Sequence, residues 1–235
     1  MHDLGGSPGS HLARPGHAPY PAGALGWLLP VGSPRVLDLG AGTGRLTRQL
    51  RARRLDVVAV DPSPAMLAEL RRTRPEVPAH QGDAHRIPLP DASADVVIVA
   101  EAWCWEEPDR AVTEIARVLS PGGRLGLIRN VRDDSTDWVA RLGDIIGGSG
   151  PAGGPRLGPV ERAAFRWAQT LTPAELIGLA GSRSGMILLP ADERAAVLAQ
   201  VRQLMATHPA LLGRETYELP YVTECVRTTL TPRRP

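Results

Sequence analysis

The run Val36-Leu37-Asp38-Leu39-Gly40-Ala41-Gly42-Thr43-Gly44 restricts what this chain can fold into more than any other stretch. It opens as a buried strand that carries one acidic residue, breaks into a turn with three glycines, and continues over 45–54 as a helix. A strand, a glycine turn and a helix in that order form the first half of a βαβ unit. Glycine has no Cβ, so the backbone of such a turn can approach a nucleotide-like ligand closely. Spacing narrows the ligand. A dinucleotide fingerprint, Gly-x-Gly-x-x-Gly/Ala, would place its third small residue at position 45, which is Arg45. The third glycine is instead Gly44, and Asp38 stands two residues ahead of Gly40.

Downstream, short apolar runs alternate with helical patterns. The spacing predicts helices over 22–29, 46–52, 64–73 and 108–119, and strands over 35–39, 56–60, 77–81, 95–100 and 124–129. In the fourth of these helices Val112, Ile115 and Leu119 share one face, and Pro121-Gly122-Gly123 stops it. Such alternation implies parallel βαβ units with helices on both faces, a Rossmann-like, doubly wound, mostly parallel α/β sheet. After Asn130 the pattern changes, giving a modified C-terminal part. Asp134 or Ser135 can cap a helix carrying Trp138, Leu142, Ile145 and Ile146. A Gly/Pro loop covers 147–159, helices are expected over 173–180 and 191–206, and strand material over 214–230. Residues 1–19, rich in Gly, Pro, Ser and His, read as a flexible arm, and 20–235 as a single domain.

Composition removes several classes of chemistry. All 27 basic residues are Arg, which excludes a phosphate-binding Walker lysine and a lysine Schiff base. A formal net charge of +2 is no nucleic-acid footprint. Cys104 and Cys225 have neither metal-ligand spacing nor a disulfide framework, and no apolar targeting segment opens the sequence, so the expectation is a reduced, cytoplasmic setting away from membranes. The adjacent carboxylates Asp133-Asp134 lack partners at ligand spacing and read as a helix start, so no metal is expected.

In an open α/β sheet ligands sit beyond the carboxyl ends of the strands. Three carboxylates fall there in order: Asp38 on the first strand, Asp61 at the end of the second, and Asp83 just after the third. Asp61 is placed to accept both hydroxyls of a ribose, and Asp83 a hydrogen bond from an exocyclic adenine amine. Asp38-Leu39-Gly40-Ala41-Gly42-Thr43-Gly44 and Val60-Asp61-Pro62-Ser63-Pro64-Ala65-Met66-Leu67 resemble the first two motifs of the class I S-adenosylmethionine (SAM)-dependent methyltransferases. Gly82-Asp83-Ala84, the strand Asp95-Val96-Val97-Ile98-Val99-Ala100 and Arg117-Val118-Leu119-Ser120-Pro121-Gly122-Gly123 extend the resemblance over about 33–130, nearest to bacterial enzymes for small molecules.

The resemblance implies roles. Asp38 would face the methionine amine of SAM, and Gly40, Ala41, Gly42 and Gly44 would admit its methionine portion and ribose. Asp61, with Pro62 and Met66 after it, would hold the ribose. Asp83 and Ala84 would take the adenine, and Ala100 would line the cofactor at the end of the fourth strand. A sulfonium and an ammonium suit carboxylates, whereas a pyrophosphate would be repelled by them. Methyl transfer needs chiefly in-line alignment, with a base only when the acceptor must lose a proton. In the resembling subgroup a His commonly occupies the position that is Cys104 here. The base then lies elsewhere, or none is needed, or the role has changed. Glu101 is the replacement candidate, against the alternative of a solvated strand-end carboxylate. Trp103, Trp105 and Trp138 are candidate walls of a substrate pocket, against packing between sheet and cap. The resembling proteins also close a helix over SAM ahead of the positions matching Tyr20-Pro21, but the Gly/Pro content of 5–19 predicts a poor helix. The expected function is methyl transfer to a small organic acceptor at O, N or C. The rival is a SAM-binding scaffold that transfers no methyl, as a cyclase-like catalyst or binding protein.

Overall fold

The computed structural model describes residues 18–32, 34–101, 108–147, 159–183, 186 and 189–229. In chain order these form α1 (Ala22–Leu28), β1 (Arg35–Leu39), α2 (Arg45–Ala52), β2 (Asp56–Asp61), α3 (Pro64–Thr73), β3 (Ala79–Gln81), β4 (Ala94–Ala100), α4 (Pro108–Val118), β5 (Leu119–Arg132), α5 (Asp137–Ile146), β6 (Glu161–Leu171), α6 (Pro173–Gly181), α7 (Ala191–Thr207) and β7 (Tyr217–Thr229). The strands make one sheet in the order β3-β2-β1-β4-β5-β7-β6. β1 to β5 are mutually parallel, and β7 runs antiparallel to both β5 and β6. The chain leaves β1 toward β2 and β3, then returns to β4 on the other side. The switch point therefore lies between the carboxyl ends of β1 and β4.

Strand periodicity sorts the core into two layers. Leu37, Leu39, Val97, Val99, Leu125 and Leu127 point to one face, where Ala111, Ile115 and Val118 of α4 cover them. Val36, Val96, Ile98 and Ile128 point to the other, against α1 and the Leu46 and Leu50 side chains of α2. Asp38 shares the second face, so alternation aims its carboxylate at α2. A third cluster joins Trp138 and Leu142 of α5 to Leu176 of α6, Val201 and Leu204 of α7, and Tyr217 and Leu219 of β7. This cluster builds the modified C-terminal part onto the sheet.

Helix starts follow local chemistry. Ser63 caps α3 with Pro64 at its first position, and Thr172 and Glu175 form a reciprocal capping box on α6. The cap position of α5 is Thr136, beyond both expected residues, Asp134 and Ser135, because Asp133 draws the backbone and hydroxyl of Ser135 into its own turn. β5 also starts earlier than expected. Leu119 pairs with Ala94, and pairing resumes at Arg124 with Val96, so Pro121-Gly122-Gly123 forms a bulge inside the strand rather than a gap before it. β6 has no counterpart among the expected elements. It is a half-exposed edge strand with Phe165 and Trp167 on its packed face. No helix among the described residues is long and apolar enough to cross a membrane.

Candidate functional site

The glycine turn is tied down by the strand beside it. Gly40 and Ala41 both donate to the Val60 carbonyl, at 2.8 and 3.1 Å, and the Gly42 amide donates to Asp61 Oδ2 at 2.8 Å. Two glycines serve different needs. Gly44 caps α2 at φ 85, and a Cβ there would crowd Leu70 Cγ of α3 at 3.0 Å as well as strain the left-handed backbone. Gly42 has φ 56, yet a Cβ built on it meets nothing within 4 Å. It faces open space.

Asp38 lies fully buried beneath this turn. Its Oδ2 accepts a 2.5 Å hydrogen bond from the Thr47 hydroxyl of α2, while Oδ1 has no hydrogen-bond partner among the described residues. Burial pushes its carboxyl up to about 6, against the opposing effect of the Thr47 hydrogen bond. A buried, half-satisfied carboxylate is costly and needs a reason. Asp61, also buried, accepts from Ser63 N at 2.9 Å through Oδ1 in addition to Gly42 through Oδ2. A carboxylate has about four lone-pair sites, so acceptor capacity remains on both oxygens. Asp83 holds the tight turn after β3, its Oδ1 accepting from His85 N and Arg86 N at 2.8 and 3.0 Å, with 54% of the side chain exposed. Gly82 makes that turn possible, since a Cβ there would meet Pro88 Cδ at 2.6 Å. Ala84 is buried, and Pro62 and Met66 are exposed at the start of α3. The structure thus gathers Asp38, the glycine turn, Asp61, Asp83 and Ala100 along the carboxyl ends of β1 to β4.

Glu101 is a hydrogen-bonded carboxylate. It sits at φ 61 just beyond β4, and its Oε1 accepts from Asn130 N at 2.9 Å, Tyr20 Oη at 3.1 Å and Arg45 Nη2 at 3.4 Å. Arg45 also donates to the Tyr20 hydroxyl and to the Ala18 carbonyl, and its guanidinium lies 4.5 Å from the Tyr20 ring centre. Asn130 donates to the Ala18 and Pro19 carbonyls, and Gln49 brackets the Tyr20 backbone. These residues fasten 18–20 across the switch point, and positions 1–17 of the expected arm lie outside the described residues. Arg45, Gln49 and Asn130 carry this frame without having been named as site residues from sequence. Arg45 left a signal as the residue that breaks the dinucleotide fingerprint, and Asn130 as the point where the pattern changes.

Trp138 is 5% exposed and belongs to the cluster of Leu142, Leu176 and Leu211, with its ring 6.5 Å from that of Tyr217, which supports packing between sheet and cap. Cys104, Trp103 and Trp105 lie outside the described residues. Among the described residues no group of three or more His, Cys, Asp or Glu side chains could hold a metal ion.

A family model described as a methyltransferase domain matches residues 37–127, the segment that forms this cluster. Over nearly the whole length the chain is similar to an uncharacterized methyltransferase of Mycobacterium tuberculosis, 52% identical across 92% of this chain and 91% of the relative. An uncharacterized methyltransferase-like protein of Schizosaccharomyces pombe is 34% identical, with 87% of each chain covered. Among solved structures, a candidate type II methyltransferase of Anaeromyxobacter dehalogenans superposes with a TM-score of 0.64 at 25% identity, covering 92% of this chain and 99% of that one.

Proposed function

The chain belongs to the class I SAM-dependent methyltransferases, and from that premise we propose that it methylates a small organic acceptor, with SAM seated on the carboxylates at the ends of β1, β2 and β3. The observation that carries the reading is the unpartnered Oδ1 of buried Asp38 beneath a turn whose Gly42 opens on empty space. A buried anion lacking a partner calls for a cation, and the ammonium of the methionine portion fits that need. Asp61 would accept the ribose hydroxyls on its remaining lone pairs while its two backbone donors hold it still. The exposed carboxylate of Asp83 would receive the adenine amine, with the Ala84 backbone beside it, and Pro62, Met66 and Ala100 would border the pocket.

When bound, SAM supplies a methyl carbon on a sulfonium, and transfer joins the acceptor's lone pair to that carbon as the carbon–sulfur pair returns to sulfur. The chain's own part is then positional. Tyr20, Arg45, Glu101 and Asn130 hold the segment before α1 over the switch point and exclude water from that side. Oε1 of Glu101 serves three donors in this frame, which supports a positioning role over that of general base. Acceptors without a proton to lose need no base. For the others Cys104 remains the sequence candidate.

Calorimetric titration with SAM and S-adenosylhomocysteine tests the reading, with Asp61→Ala as control. Micromolar affinity that the substitution abolishes is the expected result, followed by turnover of labelled SAM in a small-acceptor screen. Absence of binding by folded wild-type protein would sink the proposal.

A further inference from the structure

Thr223 of β7 is fully buried, and its hydroxyl makes two hydrogen bonds. Oγ1 accepts from Trp167 Nε1 of β6 at 2.8 Å and donates to Asn130 Oδ1 of β5 at 2.6 Å. Chemistry forces this direction. An indole nitrogen only donates, so the single hydroxyl proton is left for Asn130. The Asn130 atom facing Thr223 must then be its side-chain oxygen, which turns the amide nitrogen the other way. That nitrogen donates to the Ala18 and Pro19 carbonyls at 3.0 and 3.2 Å. Carbonyls only accept, so both ends agree on one polarity. A single line of donors runs from β6 through β7 and β5 to the segment before α1.

Strand register builds this line. Thr223 stands opposite Asn130 on one side and Phe165 on the other, and Trp167 is paired with Tyr221. The indole is held by stacking on the Tyr221 ring, with centres 5.0 Å apart and planes 17° from parallel, so the first donor is fixed. Asn130 is fixed as well, since its backbone amide donates to Glu101 Oε1 at 2.9 Å. The segment Ala18–Tyr20 therefore has two anchors. Arg45 and Gln49 hold it from α2, beside the glycine turn, and Asn130 holds it from the C-terminal part. Deleting the Thr223 hydroxyl would strand the Trp167 N–H and the Asn130 oxygen at a position without exposure, and would release the Asn130 amide from its fixed orientation.

We propose that Thr223 is a positioning residue for the cofactor: acting through Asn130, it latches Ala18–Tyr20 over the switch point and so sets how long SAM or its product stays bound. The C-terminal part supplies none of the three carboxylates at the ends of β1 to β3, yet it governs cofactor retention. With the latch broken, the segment is held from α2 alone and opens more often. Release then quickens, while entry, which needs the segment open, is not slowed. This assignment rests on the methyltransferase reading above.

The test uses the full chain loaded with tritiated S-adenosylhomocysteine and chased with excess unlabelled compound, so that the release rate is read directly. Thr223→Val keeps the shape and removes the hydroxyl, and Thr223→Ser keeps the hydroxyl. Thr228→Val is the control, because Thr228 is also buried on β7 but donates to the Pro159 carbonyl, away from the latch. The expected result is release roughly tenfold faster in Thr223→Val, return to within about twofold of wild type in Thr223→Ser, and no change in Thr228→Val. Asn130→Asp still accepts from Thr223 but has no N–H for the two carbonyls. It should release as fast as Thr223→Val, and it carries the comparison if that variant does not fold. Three results would overturn the assignment: wild-type release in whichever of these two variants folds, equal acceleration in Thr228→Val, or acceleration that Ser at 223 leaves in place. A folded wild-type protein that binds no S-adenosylhomocysteine would instead refute the methyltransferase site, a separate outcome.

Discussion

Replacing Asp38 by Asn separates the demands of folding from those of ligand binding. The Asp38 carboxyl is fully buried and raised from 3.8 to about 6, above all by burial. At about 1.4 kcal/mol per pH unit, the shift corresponds to about 3 kcal/mol. The sign follows from where the proton sits. Below about pH 4 the carboxyl is protonated in the folded and unfolded chain alike, and burial of its charge costs nothing. As pH rises through about 6 the folded protein must hold a bare carboxylate that the unfolded chain would hydrate freely, so stability is lost. Asn preserves the shape and can still accept from Thr47, but it carries no charge. Ligand-free Asp38→Asn should therefore gain on wild type between pH 4 and pH 8 by about 3 kcal/mol, or roughly 6–12 °C in melting temperature for a chain of this size. Urea unfolding of both proteins across that range, at fixed ionic strength, measures the gap. The same variant should bind SAM more weakly, because the partner for its ammonium is gone. A gap that stays flat between pH 4 and pH 8, or wild-type SAM affinity in the variant, would refute the reasoning.

Other substitutions probe the remaining assignments. Gly42→Ala meets no protein atom, so unfolding should register only the left-handed backbone cost of about 1 kcal/mol, while calorimetry shows a far larger loss of SAM affinity. Trp138→Ala should cost about 3–5 kcal/mol in urea unfolding, the value for a core aromatic; a loss under 1 kcal/mol would return it to the pocket wall. The Cys225 thiol is buried and pushed up to about 12, so iodoacetamide at neutral pH should label it only in denaturant, as peptide mass spectrometry can show.

The sheet's first half was legible because its signals are local. Strand alternation, the glycine spacing and the Ser63-Pro64 helix start each act within a few residues, and they located β1, α2, β2 and α3 almost to the residue. β6 escaped because small alanines fall on both of its faces, at 163, 164 and 168, and blur the alternation that Phe165 and Trp167 would otherwise announce. Its hydrogen-bonding partner also lies far downstream. The bonding of Glu101 was out of reach for a related reason. Tyr20, Arg45 and Asn130 stand 81, 56 and 29 residues away in sequence, and no local pattern reports such contacts. Trp138 shows a different limit, since the same apolar ring suits a pocket wall and a core, and only the neighbours supplied by α6 and β7 decide.

The reversed strand β7 also sets the timing of synthesis. β6 is complete at Leu171, but the strand that pairs with it begins only at Tyr217, and the same strand covers the free edge of β5. A nascent chain halted between those points can assemble β1 to β5 while two rows of backbone donors and acceptors stay unpaired, one of them beside Phe165 and Trp167. Open edges of that kind recruit foreign strands. Ribosome pausing in the α6–α7 interval, more than any delay in the glycine-turn half, is where this protein would most need a chaperone.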